Sequence, residues 1–142
     1  MEDFVTFEIA KKLKEKGFRE KCENIYLGGE LTSNRFLLNR ACTAQVEFSY
    51  NTVNDHIYSE GMYVDIIDAP TISQVLKWLR EEKDCHIMID IYDNGWFYTI
   101  NNFYRHDTGV FEVKTHLMQC LDYDTYEQAA IAGIEYVIDN LI

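Results

Sequence analysis

His86, Asp90, Thr99, Glu112 and His116 lie in three consecutive stretches that alternate between apolar and polar residues, as β-strands do. Two imidazoles and two carboxylates that converge can hold zinc or another divalent metal, or can pass protons as general acid and base. Convergence requires that the third stretch pair beside the first two. No H-E-x-x-H or H-x-H spacing accompanies these residues. The polar side of an ordinary strand accounts for them as well, and that plainer reading is favoured. Cys85 and His86 are neighbours in sequence, but consecutive strand residues point to opposite faces, so they do not form a nucleophile and base pair. Cys85 is expected on the core side as a buried thiol. Gly28-Gly29 reads as a turn, and no G-x-x-x-x-G-K-[ST] or G-x-G-x-x-G is present.

The same strand face has a second use. Met88, Tyr92, Phe97 and Phe103 alternate there with His86, Asp90, Thr99 and Asn101. Thioether and aromatic side chains among polar groups are the composition of a protein interface. An apolar patch of that size is rarely left bare, so a cover by residues 30–68 as a second core is an equal alternative. The candidate binding residues are His86, Met88, Asp90, Tyr92, Phe97, Thr99, Phe103, Glu112 and His116. No catalytic residue, metal ligand or cofactor is assigned.

A hairpin positions these residues. Residues 86–92 alternate, Asp93-Asn94-Gly95 turns, and residues 96–103 return. Asn94-Gly95 is a favoured two-residue type I′ loop. As that loop, it sets Asp93 opposite Trp96, Ile91 opposite Tyr98 and Ile89 opposite Ile100. Ile87, Ile89, Ile91, Trp96, Tyr98 and Ile100 then share the core face. A third strand is expected over 110–117, where Phe111, Val113, Thr115 and Leu117 alternate with Glu112, Lys114 and His116.

Three helices complete the frame. Ile9, Ala10 and Leu13 predict one over about 6–16, stopped by Gly17 with Phe18 as the hydrophobic contact. Thr71-Ile72-Ser73-Gln74 fits a capping box for a helix over 71–82 with Ile72, Val75, Leu76 and Leu79 inward and Trp78 beside them. Thr125-Tyr126-Glu127-Gln128 starts a third over 125–141, with Ala130, Ile134, Val137 and Leu141 as its stripe. Its small residues, Ala129, Ala130, Ala132 and Gly133, permit close approach to a sheet. Residues 22–68 read less clearly. A short hairpin at Gly28-Gly29 and strands at 46–50 and 63–67 are expected, with a loop at 51–55. Pro70 marks a boundary between elements. The fold class is therefore α+β, an antiparallel sheet of the 86–103 hairpin plus strand 110–117 with helices packed on one face. Residues 1–142 are expected to form one domain.

Composition limits the function. Hydrophobic residues make up 47% of the 142, as in a globular protein, and there are ten tyrosines and eight phenylalanines. Net charge is −11, spread unevenly. Residues 1–22 hold six Lys/Arg against five Asp/Glu, and residues 23–142 hold seven against nineteen. A body this acidic repels phosphate backbones, so direct nucleic-acid binding is not expected. The acidity serves solubility, or else meets a basic partner. Met1-Glu2-Asp3 lacks the basic start of a secretory signal, and no apolar run approaches the roughly 18 residues of a membrane span. A cytoplasmic location is expected, with Cys22, Cys42, Cys85 and Cys120 as free thiols.

The segment from Ala69-Pro70-Thr71 through Val75-Leu76-Lys77-Trp78-Leu79-Arg80-Glu81 leads into His86-Ile87-Met88-Ile89, then Gly95-Trp96-Phe97-Tyr98. Tyr126-Glu127-Gln128-Ala129-Ala130 and Ala132-Gly133-Ile134 follow, and residues 9–18 precede. Together they resemble a group of small uncharacterised proteins of bacteriophages and mobile elements of gut Bacteroidetes. The resemblance covers the first helix and residues 69–142, while residues 30–68 match less clearly and look like a variable insert; it implies a genomic setting within a bacterial host cell, not a mechanism. The expected function is an accessory protein that acts by protein–protein contact or self-association. A nucleotide-like small-ligand binder is the alternative, and a metal-dependent hydrolase stands behind both.

Overall fold

The computed structural model describes residues 3–33, 56–59, 62–93, 95–109, 111–117 and 123–142. The fold is α+β, and the chain divides into two compact units, Phe4–Thr71 and Ile72–Ile142, the second joined by Asp3. The strand expected at 46–50 and the loop at 51–55 lie outside the described residues, as do Cys42 and Cys120.

In the first unit, α1 (Phe7–Glu15) begins where the Thr6 hydroxyl accepts the Ile9 N–H at 3.3 Å. It ends in a Schellman motif. Gly17 N–H donates to Lys14 O at 3.1 Å, and Phe18 N–H donates to Leu13 O at 3.0 Å. Gly17 takes a φ of +93°, which only glycine adopts cheaply. Ile9, Ala10, Leu13 and Phe18 are buried, so the expected stripe is the one that packs.

The strands β1 (Asn24–Leu27) and β2 (Glu30–Ser33) form the hairpin expected at Gly28-Gly29, whose φ values are +59° and +87°. Two positive φ values make this a type I′ turn, the one that matches strand twist. β3 (His56–Ser59) and β4 (Met62–Asp68) complete an antiparallel sheet in the order β2-β1-β4-β3. Residues 62–65 of β4 pair with β3, and residues 66–68 pair with β1. β4 contains the expected strand at 63–67, whereas β3 has no counterpart among the expected elements. α1 packs against β4. The Tyr26 hydroxyl donates to the Val5 carbonyl, and the Tyr26 ring meets Phe7 edge-on at 5.5 Å.

In the second unit, α2 (Ile72–Glu82) buries Ile72, Val75, Trp78 and Leu79. A turn at Asp84, with φ +53°, leads into β5 (Cys85–Tyr92). β6 (Gly95–Arg105) and β7 (Phe111–Leu117) follow, and the sheet order is β5-β6-β7, antiparallel throughout. α3 (Tyr126–Asn140) closes the unit. The Thr125 hydroxyl accepts the Gln128 N–H at 3.1 Å, and Gln128 Oε1 accepts the Asp124 N–H at 3.1 Å. That is the reciprocal capping expected from Thr125-Tyr126-Glu127-Gln128, reaching one residue further back than the usual box. α2 and α3 pack against each other and against β5, and α3 also packs against β6.

The hairpin departs from expectation in its register. Ile91 pairs with Trp96, Ile89 with Tyr98 and Ile87 with Ile100, while Tyr92 faces Gly95. The turn therefore sits one residue earlier than an Asn94-Gly95 loop would place it. Asp93 supplies the positive φ, +51°, that the first loop position needs, and aspartate tolerates it. Each residue's partner therefore shifts by two. A shift of two preserves parity, so the face assignments survive.

Candidate functional site

The two faces of β5-β6-β7 differ in what covers them. Gly133 of α3 comes so close to the sheet that a Cβ there would lie 2.9 Å from Ile87 Cγ2 and 3.2 Å from the Tyr98 ring. The helices thus cover the face of Ile87, Tyr98 and Ile100, all buried. Coverage fades toward the turn. Ile89 and Trp96 are half-buried, and Ile91, expected in the core, is 54% exposed.

The opposite face carries His86, Met88, Asp90 and Tyr92 from β5 and Phe97, Thr99, Asn101 and Phe103 from β6. Among the described residues it bears no helix. Met88 is 49% and Tyr92 72% exposed. Asp90 is exposed, and His86, Phe97, Thr99, Asn101 and Phe103 are half-buried. The face is ordered by its own contacts. Asn101 Nδ2 donates to Met88 Sδ at 3.1 Å, and Asn101 Oδ1 accepts from Thr115 Oγ1 at 2.8 Å, so one amide ties three strands. The His86 and Phe103 rings stack at 6.5 Å. The Ile91 N–H donates to Asp90 Oδ1 at 2.8 Å.

Glu112 and His116 are not part of this face. Glu112 pairs with Tyr104 and His116 with Ile100, which places both on the helix side of the sheet. They are separated from His86 and Asp90 by the sheet itself, so the five-residue constellation does not assemble. Glu112 Oε2 instead meets His106 Nε2 at 2.8 Å in solvent. Among the described residues no group of three His, Cys, Asp or Glu is placed to hold a metal ion. Sequence alternation misassigns β7 for a physical reason. Its apolar residues suggest a core-facing side, but the helices pack on β5 and β6, and Glu112 and Lys114 are exposed beyond them. The residues this displaces onto the open face are Val113, 49% exposed, and Thr115. The β6–β7 register carries that information, and the sequence between the two strands has no turn signature strict enough to fix it.

Cys85 lies on the helix side, fully buried, and accepts a hydrogen bond from Asn102 Nδ2 at 3.1 Å. Burial pushes its thiol upward, against the partial relief that this hydrogen bond gives its thiolate. Tyr98 is pushed up to about 12, first by burial and then by Tyr123 and Tyr136. Neither group is poised to act as a nucleophile or base near neutrality.

No protein-family model matches the chain, and no curated protein or solved structure matches it either. No helix among the described residues is long and apolar enough to cross a membrane.

Proposed function

We propose that the protein acts by binding another protein across the open face of β5-β6-β7, as an accessory protein of a phage or mobile element inside a bacterial cell. The observation that supports this reading is the exposure of Met88, Tyr92 and Val113 together on a face without helices among the described residues. Scattered single apolar residues need no explanation, but Met88 and Tyr92 flank Phe97 diagonally across β5 and β6, and Val113 pairs with Phe103, so apolar side chains gather at both ends of the face. Tyrosine, phenylalanine and methionine are the types enriched in interface cores. The Asn101 hydrogen bonds hold the patch in shape before a partner arrives, which lowers the ordering cost of binding.

The test compares the wild-type chain with a Met88→Glu, Val113→Glu double variant in affinity capture from bacterial host extract, identified by mass spectrometry. Both side chains are about half in solvent, so the variant is expected to fold normally, checked by circular dichroism. A partner retained by the wild type and lost by the variant supports the face. Equal recovery with both would remove it.

A further inference from the structure

We infer that the turn end of this face seats an arginine- or lysine-bearing segment of the partner protein. The inference rests on the binding reading above and names the chemistry of the partner.

Met88, Asp90 and Tyr92 stand in succession along β5 on the open face, and Asp93 follows at the turn. Tyr92 lies opposite Gly95, which has no side chain to shade the ring, and this is why the phenol is so exposed. Asp90 lies opposite Phe97. One of its oxygens accepts the Ile91 N–H, and the other accepts no hydrogen bond among the described residues. Asp90 and Asp93 form no ion pair among the described residues.

No lysine or arginine occurs in residues 84–104 or 115–142. Arg105 shares the face but stands eight residues along β6 from Phe97, roughly 26 Å away at the rise of a strand. The carboxylates at the turn are thus not neutralised by this unit's nearby sequence.

A cation at this point meets two attractions at once, the tyrosine ring and an open carboxylate oxygen. Arginine fits better than lysine, because its planar fork can stack on the ring while it donates to the carboxylate. A neutral apolar segment could cover Tyr92 and Met88, but it would strip water from Asp90 without pairing it. An acidic segment or a nucleic-acid strand would be repelled. Charge complementarity thus selects a cationic partner segment.

The probe is a fluorescently labelled short peptide alternating arginine and leucine, with a glutamine-for-arginine peptide as its neutral match, followed by anisotropy. The arginine peptide is expected to bind the full chain and to weaken about tenfold between about 50 and about 300 mM salt. Asp90→Asn with Asp93→Asn is expected to weaken it at least about tenfold, and Tyr92→Ala similarly. The Asp90→Asn change keeps a side-chain oxygen for the Ile91 N–H, so it removes charge without freeing that donor. Glu81→Gln with Glu82→Gln, exposed on α2, removes the same charge elsewhere and is expected to change little. Equal weakening by this control pair would reduce the effect to diffuse acidity and overturn the inference. Tighter binding of the glutamine peptide, or competition by single-stranded DNA or by a second copy of the chain, would overturn it too. If the arginine peptide fails while the Met88, Val113 variant still loses its captured partner, only the cationic assignment falls. If that variant loses nothing, the face itself falls.

Discussion

Asp68, at the end of β4, shows how burial sets a residue's contribution to stability. Burial raises its pKa, and the charges of Lys14 and Arg19 only partly oppose that rise. The folded chain therefore holds the Asp68 proton more tightly than the unfolded chain. The sign follows from linkage: the folded state binds more protons, so stability falls as pH climbs from the ordinary aspartate range through the raised value. At neutral pH the charged carboxylate is a net cost. Asp68→Asn is expected to raise the unfolding free energy at pH about 7, with a gain that shrinks toward pH about 4 and below. Urea titrations of both proteins at the two pH values measure this, and a gain that grows in acid would contradict it. Cys22 belongs to the same neighbourhood. Burial, then Asp68 and Glu20, push its thiol up to about 12, which keeps it protonated and unreactive in the folded chain. The buried free thiol agrees with the reading of irregularly spaced, unpaired cysteines. The charge of Asp68 beside it is not legible in the sequence, because that residue comes from a distant strand.

The packing of α3 on the sheet decides the fate of a substitution at Gly133. At an exposed helix position, glycine to alanine gains about 1 kcal/mol of helix propensity. Here the new methyl would meet Ile87 Cγ2 at 2.9 Å and the Tyr98 ring at 3.2 Å, both from buried residues. Overpacking of that kind costs about 1–3 kcal/mol, so it outweighs the propensity gain. Gly133→Ala is expected to lower stability by up to about 2 kcal/mol in denaturant unfolding. A stabilised variant would show that the helix can lift from the sheet at little cost. The close approach of α3 is legible in its small residues, since helix spacing and caps are local signals. The Schellman stop of α1 and the type I′ turn of β1 and β2 are legible for the same reason. The hairpin loop is legible only to within one residue, because Asp93-Asn94 and Asn94-Gly95 both suit a positive φ. The side of β7 is not legible at all. It depends on which strands the helices cover, and no local pattern encodes that.

Charge acts on the chain as a whole. Net charge is −11, and its excess lies in residues 23–142. Like charges repel in the compact state, and salt screens them. Lys11 and Glu8 form an exposed pair 3.7 Å apart, and the His106–Glu112 pair is also in solvent, so each is worth little. With an excess of eleven negative charges, relief of repulsion outweighs the loss of such exposed pairs. The midpoint of thermal unfolding is expected to rise between about 10 and about 150 mM sodium chloride. A falling midpoint would show that paired charges dominate. At this scale Pro70 is the informative residue. It marks a boundary between elements in the sequence, and the two compact units meet along the chain at Thr71 and Ile72.

The hydrogen bond from the Ile91 N–H to Asp90 also bears on whether the chain stays dispersed. β5 is an outer strand of its sheet, and Ile87, Ile89 and Ile91 give it strong β-propensity. Such an edge invites other chains to add strands and start aggregates. Asp90 occupies a backbone donor and puts a charge beside it, so the edge offers neither a free partner nor a neutral flank at that point. The residue proposed to hold a partner's cation also deters unwanted strand pairing. A lineage that lost the partner would still have a reason to keep an acceptor at position 90.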